Sequence, residues 1–468
     1  MMPGLRNLSI ALWMLLVAAL AVAFFSPDPE LAIGAALFPF FVIALLWRPG
    51  EPPVLVFALL VQWVQVVTGL FLAGIRGLEV VASIGLPAAD QAIAYALSGL
   101  CVEAIGIRLA LAGMFPPAVH SSQARSEAAV LSPAWMAAVY LLFTLSGLGV
   151  ITLFQGTGLN TLAVGLVDLK WALFFVFGYT VLEQRRGYAL LFAVLGLELL
   201  LGFSAYFSEF KTVLFVLAVL LATRVQRQRL VHWFGFALIL GALVYLLVVW
   251  SAVKQDYRAF LNQGSGEQVV LPDRAARLDY LSRLVSGLSA RDLERGLEIL
   301  LERVSYVDFF AHSLQYVPLV RPHEDGRYWG SVLTHILTPR LLFPDKPALD
   351  DSDITYRYTG VPVAGKEQGT SASIGYMAEN YIDFGWPGML LPVFLMGLVY
   401  GVLYRWLLAG APWKLARFGL ATALLLRLAY FELSIHKIFG GLIVAGVLTV
   451  VALYLAAPLL HPRESRGR

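Results

Sequence analysis

Residues 54–74 read VLVFALLVQWVQVVTGLFLAG, and no residue in the stretch carries a charge. A helix rises about 1.5 Å per residue, so a run of this length covers the roughly 30 Å hydrocarbon core of a bilayer. Runs of this kind recur at about 7–25, 31–47, 90–112, 132–154, 167–183, 187–204, 210–223, 231–250, 386–406, 415–432 and 438–459. The run at 210–223 is short, and the run at 90–112 is interrupted by Glu103 and Arg108. The composition agrees with this reading. Of the 468 residues, 59% are hydrophobic and 14% charged, against about 45–50% and about 25% in soluble domains. Mean hydropathy is +0.75. An ordinary soluble enzyme, a disordered chain and a fibrous repeat are all excluded. The single cysteine, Cys101, leaves no disulfide framework and no Cys-built metal site. A net charge of +3 gives no ground for nucleic acid as a partner. The expected fold class is all-α, a polytopic transmembrane helical bundle of about twelve spans.

Cytoplasmic loops concentrate Lys and Arg. Alternate links carry Arg48; Arg125; Arg185 and Arg186; Arg224, Arg227 and Arg229; then Arg405, Lys414 and Arg417. Arg6 precedes the first run, and Arg463, Arg466 and Arg468 follow the last. The intervening links are acidic or mixed, as with Asp28 and Glu30. Both termini are therefore expected in the cytoplasm. Residues 1–25 also look like a signal peptide, with Arg6 and Ala21-Val22-Ala23. Retention is the favoured reading, because the next spans need the first hairpin. No long internal repeat supports an inverted-repeat transporter.

The chain then divides into an N-terminal bundle at 1–250 of about nine spans, a hydrophilic loop at 251–385, and a C-terminal part at 386–468 with about three spans and a basic tail. The loop holds 18 of the 31 acidic residues and 14 of the 34 Lys and Arg. Topology places it outside the cytoplasm. Residues 289–314 show helical spacing in Leu293, Leu297, Leu300, Leu301, Val304 and Val307. They predict an amphipathic helix that lies on the membrane or caps the bundle. Residues 321–385 are rich in Pro, Gly, Asp and aromatic side chains, and read as ordered turns.

Several polar groups stand at the outer boundary. Lys254, Tyr257 and Arg258 follow one span; Arg340 and Lys346 lie in the loop; Lys211 opens the short run at 210–223, and Asp168 and Lys170 precede the sixth span. Such cations suit a phosphate, and they equally suit snorkelling to lipid headgroups. Glu379 and Asp383 lie four apart, on one face of a helix. A carboxylate here suits a general base, or a cap. Arg427, Glu432, His436 and Lys437 gather near the turn after the eleventh span. Arg427 lies within an apolar run, where a charge faces a partner or a polar cavity. A plain pair with Glu198 or Glu432 is the structural alternative. Asp350-Asp351-Ser352-Asp353 reads as a solvated acidic turn, with calcium the minor option. No phosphate-binding Gly-x-x-x-x-Gly-Lys loop, His-Glu-x-x-His or Gly-x-Ser-x-Gly occurs, so no cofactor, nucleotide or metal is expected.

The sequence resembles the Wzy-like oligosaccharide repeat-unit polymerases of bacterial O-antigen and exopolysaccharide synthesis. The resembling features are Lys254-x-x-Tyr257-Arg258, Pro339-Arg340 with Phe343-Pro344-x-Lys346-Pro347, then Gly369-x-Ser371, Glu379 and Phe384-Gly385-x-x-Gly388. The layout of many spans around one large outside loop also matches. The motifs cover only about residues 250–390. The resemblance implies a metal-independent, GT-C-like glycosyltransferase at the outer face of the bacterial inner membrane. Its substrate would be an undecaprenyl-diphosphate-linked oligosaccharide. Membrane lipid, a flippase and chain-length regulators would be its partners. Arg258, Arg340, Lys346 and Arg427, joined by Lys254 and Lys211, would neutralise the leaving diphosphate. Glu379 would be the general base, with Asp383 and then His436 as further choices. Tyr257, Tyr328, Trp329, Tyr356, Tyr358 and Trp386 would stack on sugars, or simply form an interfacial belt. Competing readings are an O-antigen ligase-like transferase, a transporter or flippase of lipid-linked glycan using Glu103 and Glu198, and a structural scaffold.

Overall fold

An unpaired backbone N–H in hydrocarbon costs several kcal/mol, and a helix pairs every such group within one segment. The computed structural model follows that rule: among the described residues it is all helix, with no strand. It describes residues 10–114, 117–154, 157–204, 210–224, 230–264, 271–338, 343, 346, 349–363, 371–410 and 413–460. The first part holds α1 (Ile10–Phe24), α2 (Pro29–Leu46), α3 (Val54–Arg76), α4 (Val80–Ile84), α5 (Ala89–Ala110) and α6 (Pro117–Val130). Next come α7 (Pro133–Phe154), α8 (Asn160–Asp168), α9 (Lys170–Gln184), α10 (Tyr188–Ser204), α11 (Phe210–Thr223) and α12 (Leu230–Leu261). The hydrophilic region folds as α13 (Arg274–Ser286), α14 (Ala290–Val304), α15 (Asp308–Tyr316), α16 (Arg327–Leu337), α17 (Asp351–Thr359) and α18 (Tyr376–Gly388). The end is α19 (Leu390–Ala409), α20 (Lys414–Leu425), a 3-10 turn at Leu426–Ala429 and α21 (Ile435–Leu460).

Seven helices among the described residues are long and apolar enough to cross a membrane. They are Pro29–Leu46, Val54–Arg76, Ala89–Ala110, Pro133–Phe154, Asn160–Gln184, Leu390–Ala409 and Ile435–Tyr454. Shorter apolar helices are Trp13–Phe24, Tyr188–Gly202 and Lys211–Thr223.

Several boundaries differ from the sequence expectation. The run at 167–183 begins seven residues earlier, so Asp168 and Lys170 lie inside an apolar helix rather than at its mouth. The run at 415–432 is not one helix: α20 stops at Leu425 and gives way to the 3-10 turn. The helix expected over 289–314 breaks between α14 and α15. There the Tyr306 N–H leaves the helical pattern and donates to the Gln65 carbonyl of α3 at 3.0 Å. Residues 321–385 carry three helices, α16 to α18, where turns were expected apart from a helix holding Glu379 and Asp383. On the expected cytoplasmic side α6 is an unforeseen polar helix. Its Glu127 carboxylate accepts from Lys414 N at 2.9 Å and Leu415 N at 2.8 Å, closing the open N-terminus of α20.

Helices in a membrane gain little from hydrophobic exclusion, so close packing through small residues holds them together. The tightest crossing is α5 on α19. A Cβ placed on Gly397 would meet the Glu103 carbonyl at 2.2 Å, and one on Gly401 would meet the Ile107 carbonyl at 2.7 Å. The amphipathic helix α14 begins with a capping box between Ser289 and Asp292. It lies along α12, where a Cβ on Gly296 would stand 2.7 Å from the Val248 carbonyl. One continuous hydrophobic cluster runs from Ala35 to Leu442 and takes in Phe310, Tyr328 and Ile374 of the hydrophilic region. That region is thereby fastened to the bundle.

Candidate functional site

The segment from Tyr430 to Lys437, between the 3-10 turn and the first turn of α21, gathers polar side chains from α3, α16, α17 and α18. It turns at Phe431 and Glu432, where the Leu433 N–H donates to the Tyr430 carbonyl at 3.3 Å, and leaves the Phe431 and Ile435 N–H groups to side chains. The Phe431 N–H donates to Gln65 Oε1 at 2.8 Å, and Gln65 Nε2 donates to Glu432 Oε2 at 3.1 Å. The Ile435 N–H donates to Glu379 Oε2 at 2.6 Å.

Glu379 lies in the first turn of α18 and is 1% exposed. Its other oxygen accepts from the Tyr328 hydroxyl of α16 at 2.5 Å. Burial pushes its carboxyl up to about 8, against the two hydrogen bonds that favour the ionised form. An acid that exchanges its proton near neutral pH is suited to proton transfer.

Asp351, in the first turn of α17, forms the second centre and is 2% exposed. It pairs with the Lys437 ammonium, accepts from Ser371 Oγ at 3.0 Å, and faces His436 Nε2 at 3.4 Å. Lys437 Nζ also reaches Ser371 Oγ at 3.0 Å. Lys346 lies within electrostatic range of His436 and donates to the His335 carbonyl. The His335 and His436 rings meet edge to face at 5.9 Å. The His436 Nδ1 atom is buried without a hydrogen-bond partner. Lys437 and Ser371 form the open side of this cluster, and Glu379, Tyr328 and Asp351 stand behind it.

A second group of cations adjoins the segment at Tyr430, through Lys211. Burial first, then Arg303, Arg258 and Lys211, push the Lys254 ammonium down to about 7. Lys254 lies beyond the apolar run at 231–250, because α12 continues to Leu261. Lys254 and Arg258 are four apart and so share a helix face. Lys211 sits over the Tyr430 ring, 4.6 Å from its centroid.

The expected site residues separate accordingly. Glu379, His436 and Lys346 converge, and so do Lys254, Arg258 and Lys211. Arg340 lies outside the described residues. Asp383 corrects its expected role as a reserve base. It is fully buried and accepts from Gly326 N at 2.7 Å, Tyr328 N at 3.3 Å and Trp329 N at 2.8 Å. It closes the N-terminus of α16, as a carboxylate at a helix start should. Tyr257 is also corrected: its ring is wholly buried against Trp250, 5.8 Å between centroids, and offers no platform to a sugar. Trp386 stacks in parallel on Tyr95 at 4.1 Å and remains 41% exposed.

Arg427 stands apart. It pairs with Asp168 at 2.7 Å, not with Glu198 or Glu432 as the sequence suggested. Glu198 instead accepts from Lys170 at 2.8 Å and from the Tyr140 hydroxyl at 2.6 Å. These four charges form two neutral pairs, which is how apolar surroundings tolerate charge.

Sequence reasoning passed over Asp351, which looked like part of a solvated turn. In fact Asp350 is the capping residue, accepting from Ser352 N at 2.9 Å and Asp353 N at 3.3 Å. Asp351 is turned inward. Arg303, at the end of α14, drew no reading from the sequence at all. Nothing in either local pattern marks them.

Fold and site together define an all-helical protein with seven membrane-length helices among the described residues and a polar cluster packed against the bundle. Residues 119–455, more than two thirds of the chain, match the family described as domain of unknown function DUF8712, and the chain belongs to that family. No curated protein and no solved structure matches it.

Proposed function

We propose that the protein is a GT-C-like, metal-independent glycosyltransferase of the bacterial inner membrane, which polymerises oligosaccharide repeat units carried on undecaprenyl diphosphate. In this reading the chain crosses the membrane about twelve times, with both termini cytoplasmic and residues 251–385 on the periplasmic side. The three shorter apolar helices, the apolar run at 231–250 of α12, and α20 with the 3-10 turn supply the five spans beyond the seven long ones.

The observation that carries the reading is the meeting of Glu379, Tyr328, Asp351, His436, Lys437 and Lys346 around one segment, which a second cation group adjoins at Tyr430. Transfer needs a group that takes a proton from the acceptor hydroxyl, and cations that receive the charge developing on the diphosphate. Glu379 is the first choice for the proton, and His436, oriented by Asp351, is the second. Lys437 and Lys346 in the first group, and Lys254, Arg258 and Arg303 in the second, are the cations for the diphosphate. Arg340 belongs to the same role by its resemblance motif. A transporter would route its path through charges inside the bundle. Of the ionisable groups inside the bundle, Arg427 pairs with Asp168 and Lys170 with Glu198, and Glu103 is bonded to Tyr376.

The test is made in a cell that produces the cognate polysaccharide. Wild type, Arg340→Ala, Glu379→Gln and Lys437→Ala are compared at matched membrane expression, and the extracted lipid-linked glycans are resolved on a gel. Loss of the base or of a charge-stabilising cation lowers a rate by about 10²–10⁴-fold, so single repeat units accumulate on the carrier. Long chains that persist on the carrier would point to ligation. An unchanged glycan profile in all three variants overturns the reading.

A further inference from the structure

The helix α5 carries one carboxyl into the middle of the bundle. Glu103 is fully buried, and its Oε2 lies 2.8 Å from the Tyr376 hydroxyl of α18. The same hydroxyl lies 2.8 Å from Gln62 Oε1 of α3. Gln62 Nε2 donates to the Leu428 carbonyl at 2.7 Å. That bond fixes the amide, because the flipped amide would set its oxygen against the carbonyl oxygen.

Hydrogen counting then decides the rest. Tyr376 has one hydroxyl hydrogen and two oxygen neighbours. Gln62 Oε1 has no hydrogen of its own, so the Tyr376 hydrogen points there. The hydrogen between Tyr376 and Glu103 must come from Glu103. Glu103 Oε1 has no hydrogen-bond partner, and none of the ion pairs among the described residues reaches it. A bare carboxylate in that setting would be a heavily penalised buried charge.

We infer that Glu103 is a proton-binding site in the core of the bundle, held as the neutral acid and donating to Tyr376. A donor chain then runs one way, from Glu103 to Tyr376, to Gln62, to the Leu428 carbonyl. It joins α5, α18 and α3 to the 3-10 turn, where α20 has ended and a carbonyl needs a new partner. Tyr376 stands one turn before Glu379, so the proton on Glu103 helps set the seat of that helix. The inference does not depend on the proposed reaction.

The test uses the full-length protein in lipid nanodiscs. The infrared difference between wild type and Glu103→Gln is recorded in H2O and D2O. The expected result is one carboxylic-acid carbonyl band, sensitive to deuterium, present in wild type and lost in the variant. Tyr376→Phe removes the acceptor, so the same band moves to higher frequency. Should Glu103→Gln fail to fold, the Tyr376→Phe shift decides alone. A difference spectrum that loses a carboxylate stretch instead, or an acid-carbonyl region untouched by Tyr376→Phe, overturns the inference.

Discussion

Glu379 and Asp383 are one helical turn apart on α18 and equally buried, yet their surroundings give them different work. Asp383 takes three backbone N–H groups from the start of α16, so it is bound into the fold. Asp383→Ala strands those donors, and each stranded buried donor costs about 1–3 kcal/mol. A large fall in melting temperature in detergent is the expected outcome. Glu379 holds a carboxyl lifted from 4.5 to about 8. Below pH 4.5 it is protonated in both folded and unfolded chains. Between 4.5 and about 8 the unfolded chain releases the proton while the folded chain keeps it, so stability is lost as pH rises through that window. Wild type should therefore fall relative to Glu379→Gln between those pH values and level off above them, as read from paired melting curves. If Glu379 is the base, transfer activity rises over its acidic limb towards about pH 8, and that limb disappears in the Gln variant. The carboxylate pair, its spacing and its place before a span were legible in the sequence. The contrast between the two was not, because it is set by residues more than fifty positions away.

At the scale of elements, α5 and α19 meet backbone to backbone. Gly397 and Gly401 face the carbonyls of Glu103 and Ile107. Gly397→Leu forces these helices apart, at a cost of about 1–3 kcal/mol or more, since overpacking cannot be relieved by moving a flexible side chain. A lower melting temperature in Gly397→Leu than in Val399→Leu, a half-exposed position two residues on, checks this. The helix α14 was legible from its leucine spacing. Its end was not. Local spacing continues past Val304, while Tyr306 turns to tertiary partners, its N–H to the Gln65 carbonyl and its hydroxyl to the Ser373 carbonyl. The helices α16 and α17 escaped for a related reason. Pro and Gly around them punctuate the sequence, and the start of α16 is fixed by Asp383, a partner more than fifty positions away.

At the scale of the whole molecule, the alternation of basic and acidic links makes a prediction about sidedness. In a Cys101→Ser background, single cysteines at exposed Glu294 of α14 and Arg125 of α6 should label from opposite sides. A membrane-impermeant maleimide on intact cells or spheroplasts should reach position 294, and position 125 only after lysis. Labelling of both from one side would remove the proposed topology. The sequence by itself determined the class of fold, because long apolar runs admit only helices in hydrocarbon and the charges flanking them orient those helices. It also showed that ionisable side chains gather in residues 251–385, with 18 of the 31 acidic residues. Only the tertiary structure decided which charges meet. Arg427 finds Asp168, Lys437 finds Asp351, and Glu379 finds Tyr328 and Ile435 across spans of sequence that no local pattern encodes. The reason is physical: periodicity reports which face of one helix is apolar, whereas an ion pair depends on how two helices are set against each other, and that is fixed by packing.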